Sequence, residues 1–173
     1  LDGSEKRLTA KFIILAAGSR PAIFGPLIDS PLIMNSTGAL QLQDIPEKLL
    51  VIGGGYIGLE LGSVYATLGS AVTVVEMTEG LLPGADRDLV KPLAKRLNNL
   101  FTQVYLNTKI QDMKLQKNGI KVTLEGPAIT KPTAVYDKVL VCVGRKPNTT
   151  GLGWKNTKVE INDRGFVEEI GRA

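Results

Sequence analysis

With 173 residues, 43% of them hydrophobic and 22% charged, the chain has the balance of a folded domain of ordinary size, with room for attached pieces of a second and enough apolar surface for a real core. No apolar run approaches the ~18 residues that cross a bilayer. The net charge of +4 is scattered without a block of like sign, and the nine aromatics do not interleave with a basic cluster, which leaves a solvated surface and no nucleic-acid face. One Cys and no His exclude a thiolate metal site, a redox dithiol and the commonest general base from the chain's own residues.

The start, Leu1-Asp2-Gly3-Ser4-Glu5-Lys6-Arg7, has neither an initiator Met nor an apolar signal region, so the sequence reads as an excerpt of a longer one. The single Cys fits a reducing, cytoplasmic setting. Phe12-Ile13-Ile14-Leu15-Ala16 is an unbroken apolar run, which predicts a strand covered on both faces. It ends in the turn Ala17-Gly18-Ser19-Arg20-Pro21. Residues 21–48 are rich in Pro, Gly and Ser and read as a connecting segment with a short helix near Thr37–Leu42.

Val51-Ile52 then runs into Gly53-Gly54-Gly55-Tyr56-Ile57-Gly58-Leu59-Glu60, a helix follows to Gly69, and Ala71-Val72-Thr73-Val74-Val75 ends on Glu76. This is G-x-G-x-x-G between a strand and a helix, with an acid 23 residues beyond the first glycine, the pattern of a dinucleotide site. Gly53 permits the tight turn, Gly55 lets a pyrophosphate reach the backbone, and Gly58 brings helix and strand together. The helix N-terminus offers N–H groups and a positive dipole end to phosphate. A carboxylate at Glu76 can accept from ribose hydroxyls and repels a 2′-phosphate, which favours NAD over NADP.

A second helix is expected over about Asp86–Phe101, with Asp86 and Asp88 at its positive end and Leu89, Val90, Leu93, Leu97 and Leu100 as its buried stripe. Gln103–Leu106 can supply a third parallel strand. The period then switches to two. Lys109–Leu115 and Ile120–Glu125 flank an Asn-Gly hairpin signal, and Thr133–Tyr136 can add a third antiparallel strand. A buried strand from Asp137 to Val143 ends in Gly144. The fold class is therefore α/β: a Rossmann-like βαβαβ parallel sheet with an antiparallel β-meander insertion in place of a crossover helix. Cys142 lies inside an apolar strand, where a buried inert thiol is favoured over a reactive one. On residues alone, Glu60 reads either as a solvated helix residue or as a site residue. Ile110 reads as core or contact, Gly144 as strand terminator or contact, and Tyr56 as surface or as a site residue flanking the glycine turn.

Taken together, Ala17-Gly18-Ser19-Arg20-Pro21, the run from Leu49 to Gly69, Val75-Glu76 and Val143-Gly144-Arg145-Lys146-Pro147-Asn148 resemble the pyridine nucleotide–disulfide oxidoreductases, nearest to the dihydrolipoyl dehydrogenase branch. The resemblance covers residues 8–167 and weakens at Glu168-Glu169-Ile170-Gly171-Arg172-Ala173. It implies a flavoenzyme in which electrons pass from dihydrolipoyl groups through a disulfide and FAD to NAD. It implies that residues 48–147 are the NAD-binding domain, and that 1–47 and 148–173 are fragments of an FAD-binding domain. Gly53, Gly55 and Gly58, within the run Gly53–Glu60, match the pyrophosphate turn; Ile57 and Glu60 match positions near the nicotinamide; Glu76 matches the ribose acid. Ile110 matches a position against adenine, Gly144 one against the ribose–nicotinamide half, and Ala17, Gly18 and Ser19 a turn near the FAD pyrophosphate. The implied partners are a lipoyl-bearing acyltransferase of a 2-oxo acid dehydrogenase complex and a second copy in a homodimer, in the cytoplasm or, in a eukaryote, the mitochondrial matrix. A Cys-x₄-Cys pair, the first FAD glycine motif, the flavin-ribitol Gly-Asp motif and a His–Glu pair are not in this sequence. The chain alone is accordingly expected to hold no flavin and not to turn over. Another branch, of the soluble transhydrogenase or mercuric reductase type, or a non-catalytic nucleotide-binding module, are the alternatives.

Overall fold

The computed structural model describes residues 7–22 and 29–168. The chain divides into two compact units: the described residues of 1–20 and 146–173 in one, those of 21–145 in the other.

In the larger unit, apolar strands lie side by side in one five-stranded parallel sheet. Its strands are β2 (Ile33–Met34), β3 (Lys48–Ile52), β4 (Ala71–Val75), β5 (Gln103–Tyr105) and β9 (Lys138–Val141). Their order is β2-β9-β3-β4-β5, each neighbouring pair parallel. Leu49 and Val51 of β3 face one side, Leu50 and Ile52 the other, as pleating requires, and all four are buried. The first side packs on α2 (Tyr56–Thr67) and α3 (Arg87–Leu100), through Leu59, Tyr65, Val90, Leu97 and Phe101. The second packs under an antiparallel meander of β6 (Lys109–Gln116), β7 (Gly119–Glu125) and β8 (Thr133–Tyr136), through Met113, Ile120, Val122, Leu124 and Tyr136. The sheet is thus covered on both faces, which explains why its central strands β3, β4 and β9 carry near-continuous apolar runs rather than alternating ones.

The short helix α1 (Ser36–Ala39) is capped by Asn35, whose side chain accepts from the Gly38 N–H at 3.0 Å. Together with β2 it belongs to the unit that carries the glycine turn, because β2 pairs with β9 inside the main sheet. The hairpin loop between β6 and β7 is Lys117-Asn118, with Gly119 opening β7 at φ 126°. A Cβ on Gly119 would lie 2.3 Å from the Tyr136 carbonyl oxygen, so both backbone shape and space require glycine there.

Two expectations need correction. Leu89 is 72% exposed and does not join the α3 stripe; it sits one residue, ~100°, round the helix from Val90, on the side turned from the sheet. The run Phe12–Ala16 is not a strand: residues 12–18 have no regular structure, Phe12, Ile13 and Ile14 are at least 78% exposed, and β1 begins only at Ser19 (Ser19–Pro21). No strand among the described residues lies alongside that run, so its backbone gains nothing from extension. β1 forms a separate two-stranded sheet with β10 (Arg145–Pro147), where the chain passes from one unit to the other.

The smaller unit is held by side chains. Asn148 donates from Nδ2 to the Ala17 carbonyl at 3.0 Å and from its backbone N–H to that of Gly18 at 3.0 Å. Arg20 reaches the Pro147 carbonyl and the Asn148 side chain. A 3-10 turn at Trp154–Asn156 and a bridge between Ile161 and Val167 complete it. Residues 169–173, part of the segment expected to depart from the resemblance, lie outside the described residues.

Candidate functional site

The crossovers leave β3 in opposite directions. β3, β4 and β5 step one way through α2 and α3, while the meander returns the chain to β9 on the other side of β3. In open α/β sheets the carboxyl ends of two such strands frame a ligand crevice. Gly53 follows β3 and Gly144 follows β9 by three residues, so both expected site glycines stand at that switch point.

The three motif glycines answer different demands. Gly53 has φ 107°, and a Cβ there would lie 2.4 Å from the Cys142 carbonyl oxygen. A Cβ on Gly58 would lie 2.3 Å from the Gly53 carbonyl oxygen and 3.1 Å from Val51 Cγ1. These two are glycine because backbone crosses them. Gly55, the N-cap of α2, has φ −78° and ψ 174°, which any residue adopts, and no atom lies within 4 Å of a Cβ placed there. Its missing side chain leaves space open to the outside, at the end of a helix whose first-turn N–H groups have no partner within the helix.

Glu76, the residue after β4, stands at the strand tip and is only 8% exposed. Its Oε2 accepts from the Gly54 N–H at 2.6 Å. Its Oε1 accepts from the Thr78 N–H at 2.7 Å and from Thr78 Oγ1 at 2.8 Å. Charge-assisted bonds of this kind tie the acid to the glycine turn and occupy three of its roughly four lone-pair directions. Beyond it, a cavity of about 510 Å³ is lined by Met77, Asn107, Lys109, Glu125, Gly126 and Pro127.

The remaining candidates separate. Tyr56 and Glu60 are exposed on the first turns of α2, and Ile57 is half-buried between them. Leu59 is 4% exposed and packs in the helix-side core, and Gly54 is buried beneath Leu81 and Glu76, so neither offers a side chain to a ligand. Ile110 is half-buried against the meander-side core. Gly144 is exposed, with φ 123° and open space where a Cβ would be. Ala17 and Gly18 are exposed and Ser19 half-buried, in the other unit from the glycine turn. Burial pushes the Cys142 thiol up to about 11, which keeps it protonated and unreactive at neutral pH. Sequence reasoning missed the loop 77–86 as a wall of the turn. Leu82 donates its N–H to the Gly54 carbonyl at 2.9 Å, and Leu81 is 3% exposed over Gly54. The Gly80, Pro83 and Gly84 pattern signalled a turn there, but nothing in it signalled where the turn would lie.

Comparison with known proteins agrees with this architecture. The family described as pyridine nucleotide-disulphide oxidoreductase matches residues 1–169. A dihydrolipoyl dehydrogenase of Vibrio parahaemolyticus is 46% identical over 156 residues, 89% of this chain and 32% of that protein. One from Vibrio cholerae is 43% identical over 171 residues, 96% of this chain and 36% of the other. Among solved structures, an HOCl-induced flavoprotein disulfide reductase from Escherichia coli superposes with a TM-score of 0.72 at 30% identity, over 88% of this chain and 34% of its own. A water-forming NADH oxidase from Lactobacillus brevis, bound to NADH, gives 0.70 at 25% identity over 86% and 33%. The chain spans about a third of the length of the curated relatives it matches. From the glycine turn at the switch point and a family match over nearly its whole length, the chain belongs to the pyridine nucleotide-disulphide oxidoreductases.

Proposed function

We propose that the larger unit binds NAD(H), in preference to NADP(H), as the nucleotide-binding part of a flavin-dependent dihydrolipoyl dehydrogenase. The observation that carries this reading is the difference among the motif glycines: Gly53 and Gly58 are closed by backbone, while Gly55 opens onto free space at the start of α2. A pyrophosphate on Gly55 meets first-turn N–H groups and a positive helix end. Glu76, already held by Gly54 and Thr78, keeps an acceptor direction for an adenosine-ribose hydroxyl and presents negative charge to a 2′-phosphate. The cavity from Met77 to Pro127 gives the adenosine end room, and Ile110 follows its wall residue Lys109 along β6. Ile57, Glu60 and Tyr56 flank the nicotinamide end, and Gly144 lets a ribose approach β9.

In this reading the chain's own residues bind and orient the nicotinamide; they do not transfer electrons. One Cys, held as a thiol, and no His leave the disulfide relay and the acid–base step to residues this sequence does not contain. FAD, when bound, supplies the two-electron exchange between dithiol and nicotinamide. Ala17, Gly18 and Ser19, pinned by Asn148, suit one fragment of an FAD pyrophosphate site, since Gly18 has φ 68° and nothing within 4 Å of a Cβ. They enclose too little of such a ligand to hold it, so the 173 residues alone bind no flavin and show no dihydrolipoamide oxidation. The lipoyl-bearing acyltransferase of a 2-oxo acid dehydrogenase complex and a homodimer partner belong to the full-length protein, in the cytoplasm or the mitochondrial matrix.

Gly55→Val tests the reading in the full-length protein. Its backbone angles accept valine and its surroundings are empty, so unfolding stability should change by less than about 1 kcal/mol while calorimetric titration detects no NADH binding. Wild-type affinity in that variant would place the dinucleotide elsewhere, and equal wild-type affinity for NADH and NADPH would remove the role given to Glu76.

A further inference from the structure

We infer that Arg87 is a positioning residue for the dinucleotide site, acting through the loop 77–86 on the second glycine of the turn. This rests on the reading that the turn binds NAD(H).

Arg87 opens α3, and its guanidinium folds back over the preceding loop. Nη1 donates to the Leu81 carbonyl at 2.9 Å, Nη2 to those of Leu82 at 2.6 Å and Ala85 at 2.7 Å, and Nε to Ala85 at 3.1 Å. Among the described residues no carboxylate pairs with it. The planar fork is therefore spent on three backbone carbonyls, which a lysine ammonium cannot span. Gly80 makes room for it: a Cβ on Gly80 would stand 2.6 Å from Nη1.

What the clamp holds is strained. Leu82 has φ 49°, a left-handed conformation that a leucine adopts only when its surroundings impose it. That conformation aims the Leu82 N–H at the Gly54 carbonyl, at 2.9 Å. The other side of the same glycine is fixed by Glu76, so Gly54 is gripped between the acid and the loop. Leu81 closes over it, 3% exposed. Thr78 donates its N–H to Glu76, and its hydroxyl lies within reach of both the acid and the Gly80 carbonyl, at 2.8 and 3.0 Å. Releasing the guanidinium lets Leu82 relax, frees the Gly54 carbonyl, and loosens the turn that must hold a pyrophosphate within a fraction of an ångström. Arg87 itself touches no ligand in this arrangement.

Three variants of the full-length protein test it: Arg87→Met, Arg87→Lys and Gly80→Ala. The last displaces the guanidinium with a methyl group and changes no charge. Each should weaken NADH three- to tenfold in calorimetric titration and raise KM for NAD in step, with kcat unchanged. The ligand-free unfolding midpoint should move by less than about 3 °C. Arg87→Lys should not recover the wild-type affinity. Should either Arg87 variant fail to fold, Gly80→Ala carries the measurement. Wild-type NADH affinity in Gly80→Ala and Arg87→Met, or a lowered midpoint with affinity intact, overturns the inference. Gly55→Val separates the two levels: if it binds NADH normally, the site reading fails; if it abolishes binding while the Arg87 and Gly80 variants bind normally, only the role of Arg87 fails.

Discussion

Leu49-Leu50-Val51-Ile52 and Phe12-Ile13-Ile14-Leu15 are the same kind of signal, four consecutive large apolar residues, and the fold treats them oppositely. The first four are 0, 0, 0 and 4% exposed; the second four are 81, 78, 91 and 55% exposed. β3 has a hydrogen-bonded strand on each side, helices over one face and a meander over the other. Residues 12–15 have no neighbouring strand among those described. An apolar run states a demand for burial; whether that demand is met depends on partners many residues away.

The largest test of this contrast is a pair of truncations in the 173-residue chain. Leu50→Ala removes a fully buried side chain from between sheet and meander, and urea unfolding should show a loss of about 2–5 kcal/mol. Ile14→Ala removes a side chain that is 91% exposed, and stability should stay within about 0.5 kcal/mol. Comparable losses at the two positions would mean that residues 12–15 are buried as deeply as β3.

Thiol chemistry sharpens the same contrast. Cys142 follows β9 beside the glycine turn, where burial raises its thiol from 9.0 to about 11. A raised thiol pKa means less thiolate at any pH below it, so reactivity climbs with pH until about 11. A cysteine introduced at the exposed position, Ile14→Cys, should behave as a free thiol. At pH 8 alkylation should modify it about a hundredfold faster than Cys142, the ratio that two pK units set. Equal rates, read by mass spectrometry of the two peptides, would contradict the burial of Cys142.

Much of the larger unit was legible because its demands are local. The hairpin and the strand Thr133–Tyr136 follow from alternation and an Asn-Gly pair. The turn from Gly53 to Gly58 follows from the spacing of glycines between strand and helix. What escaped depends on contacts across the chain. Glu76 stands at the tip of β4, as its place in the sequence predicts, but the bonds from Gly54 and Thr78 that draw it in follow from no spacing rule. Arg87 carries no sequence signal of its own, since a guanidinium turned onto carbonyls leaves no pattern. Leu89 carried the right residue type at a position ~100° from the packed face. Phe12–Ala16 carried the right pattern with nothing to pair against.

The smallest effect on stability, and the most informative about the exposed run, comes from making it polar. Phe12, Ile13 and Ile14 form a contiguous apolar stretch on the surface, and such patches associate when they find a copy of themselves. In the 173-residue chain, Phe12→Ser with Ile14→Ser should leave the unfolding midpoint within the error set by about 0.5 kcal/mol, because neither side chain is buried. Sedimentation velocity should nevertheless change: concentration-dependent association in the parent chain, and a single slower species in the double variant. The two readouts together discriminate. A fall in stability with unchanged sedimentation would mean the run packs against its own chain. Unchanged stability with association abolished would mean that its demand for burial is met only between molecules.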